Sequence, residues 1–175
     1  MNRSLLKWEL TGLGVIFLMG SGFHFLFNVF GSNPAAGIFF PVNESVFEHL
    51  KLTLWPTIIW AAFSYGFLKS MANNFLIAKA AAVITMPLVT IALFYGYTAF
   101  TDDNVIIDIT IFLVAVAAGQ FLNYLLLKAH PLPQWLSGLS AIFILALAVV
   151  YTMFTFYPPY TGLFMDSNTG GYGIE

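Results

Sequence analysis

The chain has 175 residues, 59% of them hydrophobic and only 8% charged, with a formal net charge of −2 and no cysteine. Soluble domains carry roughly 25% charged residues, so this chain cannot build a surface for water, and lipid is the solvent its composition fits. The mild acidity excludes the basic footprint of a nucleic-acid partner. Without thiols there can be no disulfides, cysteine nucleophiles or cysteine-ligated metals.

A helix needs about 20 mostly apolar residues to cross a hydrocarbon core of about 30 Å. Five segments qualify, at residues 8–30, 43–68, 74–100, 105–127 and 135–157. They predict an all-α membrane protein, a single-domain bundle of about five transmembrane helices with residues 158–175 as an external tail. Arg3, Lys7 and the apolar run after them have the form of a signal peptide, with Gly20-Ser21-Gly22 as its cleavage site. The run continues to Phe30, which favours a retained first span. That span carries His24 and Asn28 one turn apart, with Gly20 continuing their stripe.

The connection that follows leads into Pro41-Val42-Asn43-Glu44-Ser45-Val46-Phe47-Glu48-His49-Leu50-Lys51. Asn43 is a good N-cap, and Ser45 with Glu48 fits a capping box, so the second helix has two candidate starts. From Asn43 to Leu68 it would be about 39 Å long, which places its first turns in the outer interface. At about 100° per residue, Glu44, Glu48, Lys51 and Trp55 share a face, and His49 is turned away from it. One ion held jointly by Glu44, Glu48 and His49 is therefore disfavoured.

Pro56 and Pro87 fall inside spans two and three and predict kinks, read foremost as packing features. Span four carries Asp108 near its outer end, followed on the same face by Phe112, Ala115, Gly119 and Asn123. Ala115 and Gly119 form a small-xxx-small contact, and Asn123 reads as a hydrogen-bonding link between helices. Asn73-Asn74, Asp102-Asp103-Asn104 and His130–Pro133 carry turn chemistry.

Orientation follows the lysines and arginines. Arg3, Lys7, Lys69, Lys79 and Lys128 fall on one side of a five-span chain, and Glu44, Glu48, Asp102, Asp103, Asp108, Asp166 and Glu175 on the other, with Lys51 the one cation among them. The N-terminus is thus expected inside and the C-terminus outside, in a prokaryotic plasma membrane. The tail is rich in glycine and turn formers. It is either disordered or anchored by Phe164 and Tyr172, which would bring Asp166 over the outer face.

Charges at membrane depth usually face the bundle or a wet cavity and often mark a site. His24, Asn28, Glu44, Glu48 and Asp108 can converge near the outer leaflet. One reading is purely structural, with Glu48 paired to Lys51 and Glu44 capping a helix.

Two stretches carry a resemblance. NESVFEHLK at 43–51 and LFMDSNTGGYGI at 163–174 resemble a family of small bacterial and archaeal multi-pass membrane proteins of unknown function. In that family the first stretch opens a helix and the chain ends in a YGI-type tail. The resemblance implies no activity. It singles out Asn43, Glu44, Glu48, His49, Lys51 and Asp166, and it favours an ordered tail.

Three functions compete. The first is transport or binding of a cation, proton or small polar ligand, with Glu44 and Glu48 on the ion, His24 and Asn28 orienting the ligand, and Asp108 and Asp166 closing the site. The second is a membrane-embedded, metal-dependent hydrolase for a lipid-like substrate, with a divalent metal on His24, Glu44, Glu48 and His49. The third is a non-catalytic interaction or immunity protein.

Overall fold

The computed structural model describes residues 3–174, without the side chain of Arg3. Glu175, counted above with the outer acids, lies outside the described residues. In chain order the elements are α1 (Arg3–Val29), a 3-10 turn (Ala36–Ile38), α2 (Val46–His49), α3 (Lys51–Leu68), α4 (Phe75–Thr98), α5 (Val105–Lys128) and α6 (Gln134–Phe156). The protein is all-α; the one strand-like feature among the described residues is an isolated antiparallel bridge between Met165 and Tyr172.

Four helices, α1, α4, α5 and α6, are long and apolar enough to cross a membrane. The sequence led us to expect five. The exception is α3, which has 18 residues and admits Lys51, Thr53, Pro56, Thr57 and Ser64. The residues that lengthened it on paper form a loop and the short α2. The cap is Ser45, whose hydroxyl accepts the Glu48 amide, so helix begins at Val46 and not at Asn43.

The distribution of side chains is that of a protein in an apolar solvent. Leu18 is 70% exposed and Leu145 67%, while Lys51 and Asn123 are fully buried. Where lipid replaces water outside, exposing an aliphatic side chain costs nothing, whereas polar groups must find partners within the bundle.

Packing brings α4 along α5 and α6, and sets α1 against α3 and α5. Gly119 seats α5 on Met86 and Ala82 of α4, so the small-residue stripe is a close-contact face. Pro56 frees the Leu52 carbonyl from the helix ladder, and Gly20 of α1 packs on that carbonyl, where an added Cβ would lie 2.5 Å from the oxygen. The α1–α3 crossing therefore tolerates only a glycine at the turn preceding His24.

At the opposite end Asn74 takes a left-handed conformation, φ 54°. Its amide donates to the Leu126 and His130 carbonyls, and its oxygen accepts from the Leu132 amide, which staples the α3–α4 turn to the end of α5. The tail is folded: Phe164 packs on Phe47 with tilted rings whose centroids are 4.4 Å apart, and the Phe47 amide donates to the Leu163 carbonyl at 2.9 Å.

Candidate functional site

Residues 43–45 are held from both sides. Asn43 Oδ1 accepts from the Ser45 amide at 3.0 Å, while its Nδ2 donates to the Gly173 carbonyl at 2.9 Å. The hydroxyl of Ser167 donates to the Glu44 carbonyl. This clamp points the Glu44 side chain toward α1, where His24 stands, and α2 brings His49 to the same place.

Three ligand atoms converge there. Glu44 Oε2 lies 3.4 Å from His24 Nε2 and 3.3 Å from His49 Nε2, and the two imidazole nitrogens are 3.0 Å apart. Bonds of about 2.0–2.1 Å to a tetrahedral zinc ion imply ligand–ligand edges of about 3.3–3.4 Å, so two of the three edges have the metal-site length and the third is slightly contracted. His49 is also oriented for the task. Its Nδ1 lies 2.9 Å from the Ser45 carbonyl and donates to it, so Nε2 faces Glu44 and His24 as a donor when the ring is protonated and as a lone pair when it is neutral.

The electrostatics tighten the cluster. Hydrogen bonds from His24 and His49 hold the Glu44 carboxyl well below the usual carboxylate range. Burial works against a charged His49, but the Glu44 carboxylate and the Ser45 carbonyl outweigh it and raise its affinity for a proton. The result is a compact, partly exposed set of two imidazoles and one carboxylate, able to hold a divalent cation and leave a position open.

The triad lies on the wall of a cavity of about 670 Å³, within the usual range for small-molecule sites. Phe25, Leu52, Phe94, Ile109 and Phe112 give it apolar sides, and Asp103 and Asp108 line it as well. Tyr97 joins these two acids, donating to Asp108 at 2.6 Å and lying 2.9 Å from Asp103, while its oxygen accepts the Asn104 amide. Hydrogen bonding to Asp108 and Tyr97 keeps Asp103 below the ordinary aspartate range. Asn104 starts α5 by capping the Ile106 and Ile107 amides.

A model of a family of unknown function, DUF6512, matches residues 1–174. The chain belongs to that family. Among curated proteins and solved structures, none matches it. Membership of DUF6512 covers both resembling stretches but carries no activity with it.

The remaining expected residues of this DUF6512 member fall elsewhere. Glu48 turns away from the triad and is buried; its carboxylate accepts from Lys51 Nζ at 2.6 Å, the Val42 amide at 3.0 Å and the Thr155 hydroxyl at 2.9 Å. Lys51 also donates to the Gly37 carbonyl at 2.6 Å. The pair ties the 31–42 connection to α3 and α6, leaving no valence for a ligand shared with His24. Asn28 is exposed. Asp166 caps its own turn through the Asn168 amide, and its neighbours Met165, Ser167 and Asn168 line the cavity. The sequence marks Asp103 only as a turn residue on the acidic side and does not single out Tyr97; the i,i+5 spacing of Asp103 and Asp108 across a helix cap is the available signal.

Proposed function

We propose that this protein is a membrane-embedded, metal-dependent enzyme that works on the polar end of a lipid-like molecule, by a hydrolytic reaction. The observation that carries the reading is the convergence of His24 Nε2, His49 Nε2 and Glu44 Oε2 at the edge of a cavity with apolar sides. A divalent ion held by three protein ligands supplies a Lewis acid with an open position for water or a carbonyl or phosphoryl oxygen. His24, His49 and Glu44 would hold it, with Ser45 fixing the His49 tautomer. Asp108, coupled to Tyr97 and Asp103, is placed on the same cavity to take and return a proton. The phenyl and aliphatic walls suit an acyl or isoprenoid chain and exclude bulk water.

This reading stands ahead of simple transport because Glu48, which transport would need as a second ion-binding carboxylate, is already paired with Lys51. The accompanying topology is five crossings, with α3 as the short one, in a prokaryotic plasma membrane. The N-terminus lies inside and the triad at the outer end. Because the chain has no cysteine, single cysteines introduced at Ser70 and Ser167 report this directly: a membrane-impermeant maleimide should label the second alone in intact cells.

The decisive test is metal content. Protein purified in detergent without chelators should carry one divalent ion per chain, and Glu44→Gln or His49→Ala should remove it. Asp108→Asn should keep the ion and abolish turnover of a mixed lipid extract followed by mass spectrometry. Wild-type protein that takes up no zinc, manganese or iron would end the proposal.

A further inference from the structure

The other half of the bundle holds a second polar cluster, fifteen residues back along α1 from His24, or about 22 Å at the helical rise. Glu9 of α1, Lys79 of α4, and Gln120 and Asn123 of α5 are all buried there. Asn123 Nδ2 donates to Glu9 Oε2, and Gln120 Nε2 donates to the same oxygen at 3.1 Å and to the Glu9 carbonyl at 3.2 Å. Lys79 Nζ stands 3.9 Å from Glu9 Oε1, inside ion-pair range and beyond hydrogen-bond range. Trp60 of α3 stands beside Gln120, its indole nitrogen and the Gln120 amide both lying against Gly12, where any side chain would collide with them.

The cluster is incompletely paired. Among the described residues, Glu9 Oε1, Gln120 Oε1 and Asn123 Oδ1 are acceptors without donors, and Lys79 Nζ and Trp60 Nε1 are donors without acceptors. Buried polar atoms in native proteins are nearly always satisfied, and an apolar solvent outside makes leaving them dry still less favourable. A cation would satisfy the acceptors alone and an anion the donors alone. Water does both, and the 3.9 Å separation leaves the ammonium and the carboxylate oxygen without a direct hydrogen bond, so each can use one.

We propose that Glu9, Lys79, Gln120, Asn123 and Trp60 form a second site that binds water between the carboxylate and the ammonium, so that the pair shares a proton. In the transfer an N–H bond of Lys79 breaks as an O–H bond forms on the bridging water, and that water releases another proton to Glu9 Oε1. The pair passes from oppositely charged to doubly neutral with no change in net charge. This site is independent of the metal triad and shares no residue with it.

The test uses full-length protein in detergent micelles with 15N-labelled tryptophan, the Trp60 indole signal being assigned by Trp60→Phe. Magnetisation should transfer from water to the Trp60 indole proton, and the Glu9→Leu/Lys79→Leu pair, which removes both charges together, should abolish the transfer. Infrared spectra should contain a protonated-carboxyl band that shifts in D2O and disappears in Glu9→Gln. No transfer in the wild-type protein would overturn the water site, as would transfer that changes when sodium is replaced by choline, since a cation would then be the occupant. Absence of the carboxyl band would overturn proton sharing, and the Glu9→Gln comparison decides this even if the paired variant does not fold.

Discussion

Glu48 and His49 are adjacent in the chain and belong to different structures: Glu48 forms a buried ion pair with Lys51, while His49 faces Glu44 and His24 at the cavity. One helical step of about 100° separates the element that holds the fold from the element that offers chemistry. Mutations at these neighbours should therefore separate cleanly.

Lys51→Met leaves Glu48 buried without its cation. Breaking a buried pair costs about 3–5 kcal/mol, and thermal unfolding in detergent should show a loss of that order. The Glu48→Gln/Lys51→Met pair should recover part of it, the remainder reflecting the Val42 and Thr155 hydrogen bonds to Glu48.

Gly20→Ala touches no ligand, yet its new methyl group would press on the Leu52 carbonyl. Backbone cannot yield as a flexible side chain can, so α1 must move from α3 and carry His24 away from His49. Zinc affinity should fall about 10–100-fold, the range seen when the support of a metal ligand is lost. Competition with a chromogenic chelator measures it.

The pH dependence should reverse on metal loading. In the metal-free protein His49 binds its proton more tightly than free imidazole does. Its contribution to stability is then complete below the unfolded value of about 6.5 and is lost as pH rises through the higher folded value. Glu44 is depressed, so its contribution is present above the ordinary carboxylate range and disappears only in strong acid. A metal requires neutral His49, so zinc-loaded protein should instead lose metal and stability as pH falls, beginning above the ordinary histidine range. Melting curves from pH 5 to 9, with and without zinc, are the check, and parallel curves would contradict it.

Phe164→Ala removes the ring that packs on Phe47 and Phe154. Truncation of a buried phenylalanine costs about 3–5 kcal/mol. The loss here should be concentrated in the tail, seen as protease cleavage after residue 160 at concentrations that leave the wild-type chain intact.

The helical character and the apolar spans were legible because lipid imposes a simple rule on composition, and the turn at Asn73-Asn74 because its residue types suit a left-handed conformation. The triad was legible only as a set of candidates. His24 and Glu44 are separated by a long connection whose path depends on Lys51 reaching the Gly37 carbonyl, a contact that no periodicity encodes. Of the two candidate starts of the second helix, Ser45 is the cap, while Asn43 has the chemistry of one but uses it on Ser45 and Gly173. Glu9 escaped notice beside Lys7 and Trp8, where a carboxylate resembles an interfacial charge; its burial depends on α5 supplying Gln120 and Asn123.

The clamp on Asn43 and Glu44 is closed by Ser167 and Gly173, residues near the end of the chain. During synthesis His24, Glu44 and His49 all leave the ribosome more than a hundred residues ahead of these fasteners. The pocket is consequently complete only once residues 163–173 have folded back, and a nascent chain arrested before Leu163 should possess every proposed ligand yet retain no ion. The segment from Leu163 to Gly173 is thus what arms the site, by folding back over side chains synthesised long before it.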